Sequence, residues 1–459
     1  MSRKNVQRTA TRGIATALVL FVSLVLLDVA LCLVFQPYGS QSELVWTEYR
    51  QTKDIDTVFV GTSGAANGLN PQAFNDAIGA HAYNMSCPGQ PFNESLTAVK
   101  TAASDHDLKR VVMFVGYDTM VIDPLFGHGL AYIQAKCATE PLPQAAADMV
   151  DLFTHDYYFK RNYSVLGFFP WAYSHMHLSP SNVYDNIYNR LHFDVFESGR
   201  RFTQKNDPNW EYRGLGYGSY NNTMSPNRTH SDTPSTEGTV FSDQNVLSLR
   251  RLCSYCKEQG IELYVFGTPY SPYEIAAYGD TYATGMQSLK DLVEGEGGHY
   301  FDLNMLHRDV YDPMLSYFCD SEHLNHTGAT QTSDVVAHIV ARAEAGEDLS
   351  GLFYAYTQEG QHAWLESIDF VDAVDYSWEA LGDVVHIEAT AVTGSSTPVE
   401  YRMEALDDAG KWVEARGWNA SPTFELASNG SGEHKIRIYA RATNGRQDKD
   451  RRVEGTLKF

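Results

Sequence analysis

The chain has 459 residues and a formal net charge of −22 at neutral pH, because 57 acidic residues outnumber 35 basic ones. This balance argues against a nucleic-acid-binding protein, which needs a basic surface. The length is sufficient for an α/β domain with a sizeable core and for a smaller second domain. The acidity fits a soluble part that faces outward from the cell.

The first feature along the chain is an apolar segment, residues 13–35, in which Asp28 is the single charged residue. As a helix it would span about 35 Å, more than the roughly 30 Å of a bilayer core. Basic residues precede the segment and acidic ones follow it, so the positive-inside rule leaves the N-terminus in the cytoplasm. We expect residues 1–40 to form a cytoplasmic tail and a single-pass transmembrane anchor in the cell membrane. The rest of the chain would then be extracytoplasmic.

A cleaved signal peptide is the alternative for this segment. The apolar run is longer than the roughly 7–15 residues of a signal peptide, and no clear small-residue cleavage site follows it. Leu31 precedes Cys32, which argues against a lipoprotein site. An uncleaved anchor is therefore preferred. Asp28 within it is either an incidental charge that its off-centre depth tolerates or a contact for a partner in the membrane, for which a multi-pass protein is the natural candidate.

The middle of the chain has the pattern of an α/β domain. Short β-branched or aromatic runs at 57–60, 111–115 and 263–266 are separated by helical stretches such as 93–104. This alternation predicts parallel strands with crossover helices, so we expect a parallel sheet flanked by helices within residues 41–345. Open α/β sheets bind ligands at the carboxyl ends of their strands. Ser63 follows the first strand there, and residues 267–270, after the third, should also border the cleft.

Residues 151–240 form a long insertion rich in aromatic residues. Aromatic rings stack on sugar rings, so a glycan groove is one interpretation, and a satellite core packed over the sheet is the other. His175 and His177 lie in this stretch without an acidic cluster, and a metal site is not favoured. The aromatic residues include Tyr157, Tyr158, Phe168, Phe169, Trp171, Tyr173, Trp210, Tyr212, Tyr217 and Tyr220.

The cysteines are spread along the chain. Cys253 and Cys256 form a C-x-x-C pair directly after a helical run, which favours two buried helix residues over a disulfide or redox pair. Zinc is not expected, because no second ligand pair follows at the required spacing. Cys87 and Cys319 each lie beside a candidate active-site motif, and a bridge between them stays open.

Asp320 and His323 form a D-x-x-H motif that directly precedes a predicted helix, residues 328–343. A spacing of three residues allows one turn of backbone to bring the carboxylate onto the imidazole. Such an imidazole can activate a serine hydroxyl. Alone, the D-x-x-H motif also fits a helix cap. The Gly-x-Ser motif formed by Gly61, Thr62 and Ser63 likewise fits an ordinary turn. The order of the motifs favours a catalytic triad of Ser63, His323 and Asp320.

These motifs resemble those of the SGNH (GDSL-like) hydrolase superfamily over residues 54–343. Residues 56–63 are similar to block I, residues 83–90 to block II, and residues 320–325 to block V. The resemblance implies an SGNH-like fold in which the amides of Ser63 and Gly89 stabilise the oxyanion. Asn67, four residues after the serine, is a further candidate donor.

The chain departs from the family at block III, where the pattern is G-x-N-D. Here Asp118 stands at the position of the asparagine. An ionised carboxylate repels an oxyanion, and one lost donor costs about 3–4 kcal/mol. The same loss is a feature of the membrane-anchored members that O-acetylate or D-alanylate cell-envelope polymers.

The resemblance therefore implies an O-acetyltransferase that acts on cell-envelope polysaccharide through an acyl-serine, without a metal or other cofactor. A polytopic acyltransferase of the MBOAT type would supply the acyl group across the membrane. Two alternatives stay open: an extracytoplasmic carbohydrate esterase, and a catalytically inactive glycan-binding scaffold, which Asp118 would favour.

The last part of the chain, residues 361–459, follows a linker and changes to alternating strands. Residues 386–392, 399–405 and 435–441 each alternate polar and apolar side chains with a period of two, with turn signals between or beside them. This pattern predicts a β-sandwich similar to immunoglobulin or fibronectin type III modules. It would bind glycan or a partner, or act as a spacer.

Overall fold

The computed structural model describes residues 3–35, 38–124, 126–154, 180–225, 241–393, 396–427, 433–443 and 449–458. The chain divides into two compact units, one of residues 1–50 and 125–208 and the other of residues 51–124 and 209–459. The part of the aromatic-rich insertion that contains His175 and His177 lies outside the described residues.

The elements are numbered in chain order within the described residues. The α-helices are α1 (Arg3–Phe35), α2 (Gln41–Tyr49), α3 (Ser63–Gly68), α4 (Pro71–Ile78), α5 (Phe92–Asp105), α6 (Tyr117–Val121), α7 (Phe126–Cys137), α8 (Leu142–Thr154), α9 (Pro180–His192), α10 (Val195–Asn206), α11 (Asp243–Gln259), α12 (Pro272–Tyr278), α13 (Thr281–Gly295), α14 (His326–Glu344) and α15 (Gln358–Ser367). The strands are β1 (Thr57–Gly61), β2 (Ala82–Asn84), β3 (Arg110–Val115), β4 (Trp210–Gly214), β5 (Tyr217–Tyr220), β6 (Glu262–Gly267), β7 (His299–Asp302), β8 (Val371–Leu381), β9 (Val384–Thr393), β10 (Val399–Leu406), β11 (Trp412–Asn419), β12 (Thr423–Ala427), β13 (Glu433–Ala442) and β14 (Arg451–Lys458).

The described residues of the first unit form helices. Asn186 of α9 holds the end of α1, because its amide donates to the carbonyl of Val34 (2.9 Å) and accepts from the backbone N–H of Tyr38 (2.7 Å). The core of this unit contains Trp46, which is fully buried and whose ring centroid lies 5.3 Å from that of Tyr132. The contact between Trp46 and Tyr132 joins α2 to α7. The hydrogen bonds of Asn186 join α9 to the end of α1 and to the chain that follows it.

Helix α1 covers the apolar segment expected to be helical. Its exposed apolar side chains include Ile14, Leu18, Phe21 and Leu26. Within the part of the chain that the structure describes, no helix combines the length and the apolarity that a membrane crossing requires. The transmembrane role of the segment therefore stays a prediction.

The second unit is built on a five-stranded parallel sheet in the order β2-β1-β3-β6-β7. On one face, Phe59, Phe114 and Phe266 pack against α14 through residues such as Val336 and Val340. On the other face, α5 contacts β1 and α11 contacts β6. Both faces are thus covered, as a parallel sheet requires. The predicted α/β architecture, with a parallel sheet flanked by helices, is confirmed.

The C-x-x-C pair lies on α11, where both thiols are buried. Burial raises the pKa of Cys253 and of Cys256 to about 12, so both thiols keep their protons at neutral pH. The predicted pair of buried helix residues is confirmed. Cys87 and Cys319 are not joined by a disulfide, so the bridge between the two motifs does not form.

The C-terminal region consists of two antiparallel sheets, in the orders β11-β10-β13-β14 and β12-β9-β8. Side chains from both sheets share one core, which includes Val371, Ile387, Met403 and Ile438. The period-two alternation places these residues on inner faces, because successive side chains of a strand point to opposite sides. The predicted change to antiparallel strands is confirmed.

The C-terminal sheets contact the parallel-sheet domain through Tyr273 of α12. Its buried ring lies 5.3 Å from the ring of Phe370, and the guanidinium of Arg451 stacks 3.4 Å from its centroid. Its hydroxyl donates to the carbonyl of Asp450 at 3.2 Å. The chain connects α12 to β6 through residues 268–271, so this contact lies close in sequence to the candidate site.

The carboxylate of Asp450 is buried between the two C-terminal sheets. It accepts the backbone N–H of Val371 (3.1 Å) and that of Ala442 (2.8 Å), which belong to different sheets. Burial raises its pKa from 3.8 to about 6, although these hydrogen bonds act in the opposite direction. The folded state therefore binds this proton more tightly than the unfolded state. The Asp450 contribution to the unfolding free energy falls as pH rises from about 4 to about 6.

We expect Asp450→Asn to stabilise the protein at pH 7, because the amide oxygen keeps the acceptor for the two N–H groups without a buried charge. The gain has an upper bound of about 3 kcal/mol, since two pKa units correspond to roughly that difference. It should disappear near pH 4. Denaturant midpoints of wild type and variant at both pH values measure it. Asp408→Asn, in an exposed turn, is the matched control, and equal effects of the two variants would contradict the expectation.

Candidate active site

The serine turn lies where β1 ends and α3 begins. Gly61 has φ +140°, and a Cβ at this position would lie 2.7 Å from the carbonyl oxygen of Phe114. Glycine alone fits such a position, because a side chain would meet both backbone strain and a backbone clash. The chain therefore turns sharply after the strand, and Ser63 becomes the first residue of α3 at the carboxyl edge of the sheet.

The D-x-x-H motif forms a closed turn immediately before α14. One oxygen of Asp320 accepts the backbone N–H groups of Glu322 (2.9 Å) and His323 (2.8 Å). The N–H of Cys319 donates to the carbonyl of His323 at 2.9 Å. These bonds fix the backbone that carries the imidazole.

The imidazole of His323 lies within hydrogen-bonding distance of both Asp320 and Ser63. Nδ1 of His323 is 2.9 Å and 3.1 Å from the two carboxylate oxygens of Asp320, and Nε2 is 2.7 Å from Oγ of Ser63. With the Nδ1 proton directed at the carboxylate, Nε2 accepts the serine proton. This is the geometry of an activated serine nucleophile.

The environment of His323 favours its protonated form. Burial lowers the pKa of its imidazole, but the hydrogen bond and charge of Asp320 raise it, with further contributions from the charges of Glu322 and Asp118. The balance leaves the pKa above the ordinary histidine value. Such an imidazole is a stronger base toward the serine hydroxyl and a weaker acid once it is protonated.

Gln90 connects the turn that contains Gly89 to the serine turn through hydrogen bonds. The Gln90 amide oxygen accepts the N–H of Gly61 at 3.2 Å, and its amide nitrogen donates to the carbonyl of Met85 at 3.0 Å. Both side-chain groups are buried. The two turns therefore lie at the same edge of the sheet, and the role of the Gly89 amide as an oxyanion donor stays a prediction. No sequence pattern indicated the contact made by Gln90.

Asn67 is engaged at both ends of its side chain. Its amide nitrogen donates to the carbonyl of Ser63 at 2.9 Å, and its oxygen accepts from the indole N–H of Trp210 at 2.9 Å. Asn84 further anchors this helix by donating to the carbonyl of Ala65 at 3.0 Å. This arrangement gives Asn67 a structural role in holding α3 and does not favour the oxyanion role considered from the sequence. The backbone amides of Ser63 and Gly89 remain the predicted donors.

Asp118 and Tyr270 face each other at the carboxyl ends of β3 and β6. The tyrosine hydroxyl donates to the Asp118 carboxylate. Thr268 packs against the serine turn, since a Cβ on Gly64 would lie 2.6 Å from its methyl group. The N–H of Ser271 donates to a carbonyl of the D-x-x-H turn at 2.9 Å. Residues 267–271 thus connect the serine turn, Asp118 and the histidine loop.

A buried network at the end of β7 fixes this segment. Asn304 accepts the N–H of Tyr270 at 2.8 Å and donates to the carbonyl of Thr268 at 2.7 Å. The N–H of Asn304 in turn donates to the buried carboxylate of Asp302 at 2.9 Å. These hydrogen bonds therefore fix the backbone conformation of residues 268–270.

The helical unit contains a cluster of potential metal ligands: Cys137, Glu140 and Asp148, whose ligand atoms lie within 4.8 Å of one another. Lys136 pairs with both acids, and Arg50 also pairs with Glu140. Burial raises the pKa of Cys137 to about 12, so its thiol keeps its proton at neutral pH. The cluster is a charge-compensated ion-pair network, and its chemistry does not favour a metal ion.

No family model matches the chain, and no curated protein matches it. Matching solved structures include a β-glucuronidase from Ruminococcus gnavus, 19% identical over 19% of this chain and 15% of that chain, with a TM-score of 0.15. A β-glucuronidase from Lactobacillus rhamnosus is 10% identical, with the same coverage of each chain and the same TM-score. A likeness of this extent carries no argument about fold or function.

We expect Asp320→Asn to lower the rate of serine acylation by roughly ten-thousand-fold. An amide at this position can donate to Nδ1, which leaves the proton on Nε2 and removes the acceptor for the serine. The rate of aryl acetate turnover measures the effect. Asp309→Asn, at an exposed position shortly before the motif, is the control. A loss smaller than about tenfold would argue against the assigned role of Asp320.

Asp118→Asn should shift the acidic limb of the pH–rate profile to lower pH, because it removes a negative charge that raises the pKa of His323. The base must be neutral to accept the serine proton, so kcat/KM falls below this pKa. The pH dependence of kcat/KM for an aryl acetate measures the shift. The control is Asp107→Asn, because Asp107 precedes the opposite end of the same strand. This variant should leave the profile unchanged. An unchanged limb in the Asp118 variant would exclude the electrostatic coupling.

Proposed function

We propose that this chain is a membrane-anchored, extracytoplasmic serine acyl-transfer enzyme of the SGNH-like type, an O-acetyltransferase for cell-envelope glycans. The observation that carries the proposal is the line of hydrogen bonds from Asp320 through His323 to Ser63, with Nε2 2.7 Å from the serine oxygen. The anchor formed by residues 13–35 and the immunoglobulin-like nature of the C-terminal sheets are parts of the proposal that rest on the sequence.

In the first half-reaction, His323 takes the proton of Ser63 while the serine oxygen attacks the acyl carbonyl. The resulting oxyanion is stabilised by the backbone N–H groups of Ser63 and Gly89. Protonated His323 gives its proton to the departing oxygen of the donor, and the carbonyl forms again as an ester of Ser63. Asp320 keeps the imidazole oriented and stabilises its charged form.

In the second half-reaction, a hydroxyl group of the glycan attacks the acyl-serine. His323 takes the proton of this hydroxyl and returns it to the serine oxygen, so that the acyl group leaves as a new ester on the sugar. Water in place of the sugar would give the esterase reaction. The family resemblance and the proposed anchor favour transfer, with an MBOAT-type protein in the membrane as the source of acyl groups.

The test uses the full-length chain in detergent micelles. We expect a fluorophosphonate to label the wild type and an aryl acetate to acylate it, because both reagents require an activated serine. Ser63→Ala should abolish labelling and reduce acylation by at least a thousand-fold. Ser86→Ala, in the neighbouring block II turn and buried, should retain both. Labelling that persists in Ser63→Ala would exclude Ser63 as the nucleophile.

The fate of the acyl group distinguishes the transferase, the esterase and the inactive scaffold. Acyl transfer to an added oligosaccharide that is faster than hydrolysis supports the transferase. Hydrolysis that added oligosaccharide leaves unchanged supports the esterase, and the absence of labelling in a folded wild type supports the inactive scaffold. Mass spectrometry of Ser63 peptides and of the sugar products provides both measurements.

A further inference from the structure

A cavity of about 400 Å³ lies between α4, the β4–β5 hairpin and the first turns of α14. This volume is within the range of small-molecule sites in proteins, about 300–1,000 Å³. Polar side chains from three elements converge on it: Gln72, Asp76, Arg213, Tyr217, His326 and Thr330. Groups of both donor and acceptor type are present, which suits a ligand rich in hydroxyl groups.

The charged groups at the cavity do not sum to a positive charge. Arg213 pairs with Glu211 at 2.8 Å, and Asp76 adds a further carboxylate at the rim. Burial lowers the pKa of His326, and the charge of Arg213 lowers it further, so its imidazole is neutral at neutral pH. The cavity therefore presents no excess of positive charge, and its chemistry favours an uncharged ligand over an anionic one.

The cavity is connected to the triad on two sides. His326 follows His323 by three residues, and its Nδ1 lies 3.2 Å from the hydroxyl of Tyr217. A backbone bridge pairs Tyr220 of the hairpin with Asn325 of the histidine loop. On the other side, α3 begins at Ser63 and its six residues lead to α4. Six helical residues span about 9 Å along the helix axis.

The hairpin wall is held in a strained backbone conformation. Leu215 has φ +52°, which is uncommon for a residue with a side chain. Gly216, at φ +75°, packs so closely that a Cβ would lie 1.9 Å from the carbonyl oxygen of Asn84. The N–H of Asn84 donates to the carbonyl of Leu215 at 2.9 Å, which ties the turn to the end of β2. Strain of this kind persists where the surrounding structure fixes it, often at ligand sites.

We propose that this cavity binds an uncharged sugar unit of the acceptor glycan. The proposal rests on the proposed function for its biological meaning, but the binding itself requires no chemistry at Ser63. A sugar held between α4 and the hairpin would leave a neighbouring unit of the same chain within reach of the acyl-serine. The cavity is thus a positioning site for the hydroxyl that receives the acyl group.

The test measures binding to the full-length chain in detergent micelles, in a Ser63→Ala background that excludes turnover. The probes are the tetrasaccharides of glucose, N-acetylglucosamine and galactose, with tetragalacturonate as the charged comparison. We expect at least one neutral probe to bind more tightly than tetragalacturonate. Ala73→Phe, which places a ring in the cavity from α4, should weaken binding of that probe at least tenfold. Gln72→Ala, which removes one polar group, should weaken it about threefold to tenfold.

Gln331→Phe is the matched control, because residue 331 is exposed on α14 next to the cavity-lining Thr330. It should bind the probes as the unsubstituted background does. Thermal unfolding establishes that the variants are folded. The absence of binding by all three neutral probes, tighter binding of tetragalacturonate, or unchanged binding in both Ala73→Phe and Gln72→Ala would each overturn the proposal.

The outcome is separable from that of the proposed function. If the neutral probe binds and Ala73→Phe removes binding, the sugar site stands, even if Ser63 in the wild type fails to accept an acyl group. If Ser63 is acylated but no probe binds, the acyl-transfer chemistry stands and the sugar site is wrong. In the active enzyme, Ala73→Phe should raise the KM for the oligosaccharide.

Discussion

The Asp320 carboxylate is the contact on which the candidate site depends. One of its oxygens accepts two backbone N–H groups of the D-x-x-H turn and also lies within hydrogen-bonding distance of the His323 ring. The same group therefore shapes the backbone that carries the imidazole and fixes the orientation of the ring. The result is that Nε2 meets a serine 260 residues earlier in the chain. A turn without this acceptor would lose the backbone geometry and the tautomer together.

Asp118 is the point at which the site departs from the family pattern that the sequence suggested. In place of an amide donor, the structure has a carboxylate that is bonded to Tyr270 and whose charge raises the pKa of His323. In the proposed mechanism, backbone amides must then carry the oxyanion, while the base gains affinity for the serine proton. The loss of a donor lowers the rate by weakening oxyanion stabilisation, whereas the stronger base raises it.

Much of the architecture could be predicted from the sequence, because its signals are local. Short apolar runs indicated the parallel strands, and the period-two alternation indicated the C-terminal sheets. Ser63 and His323 were predictable because each belongs to a short motif next to an element boundary. The contacts that support these residues could not be predicted from the sequence. Trp210 bonds to Asn67 across 143 residues, and Asn304 reaches the segment after β6 from the end of another strand. Such long-range polar contacts leave no periodic pattern in the sequence. The same holds for the helical unit, which joins residues 1–50 to residues 125–208.

The buried ring of Tyr273 limits where this protein can be shortened for expression. Arg451 and Phe370 cover the ring, and both would be lost from a fragment that stops after α15. The newly uncovered aromatic surface would lie at the start of α12, three residues after the tyrosine that binds Asp118. A fragment intended to keep the packing around Tyr273 intact must therefore retain the C-terminal sheets.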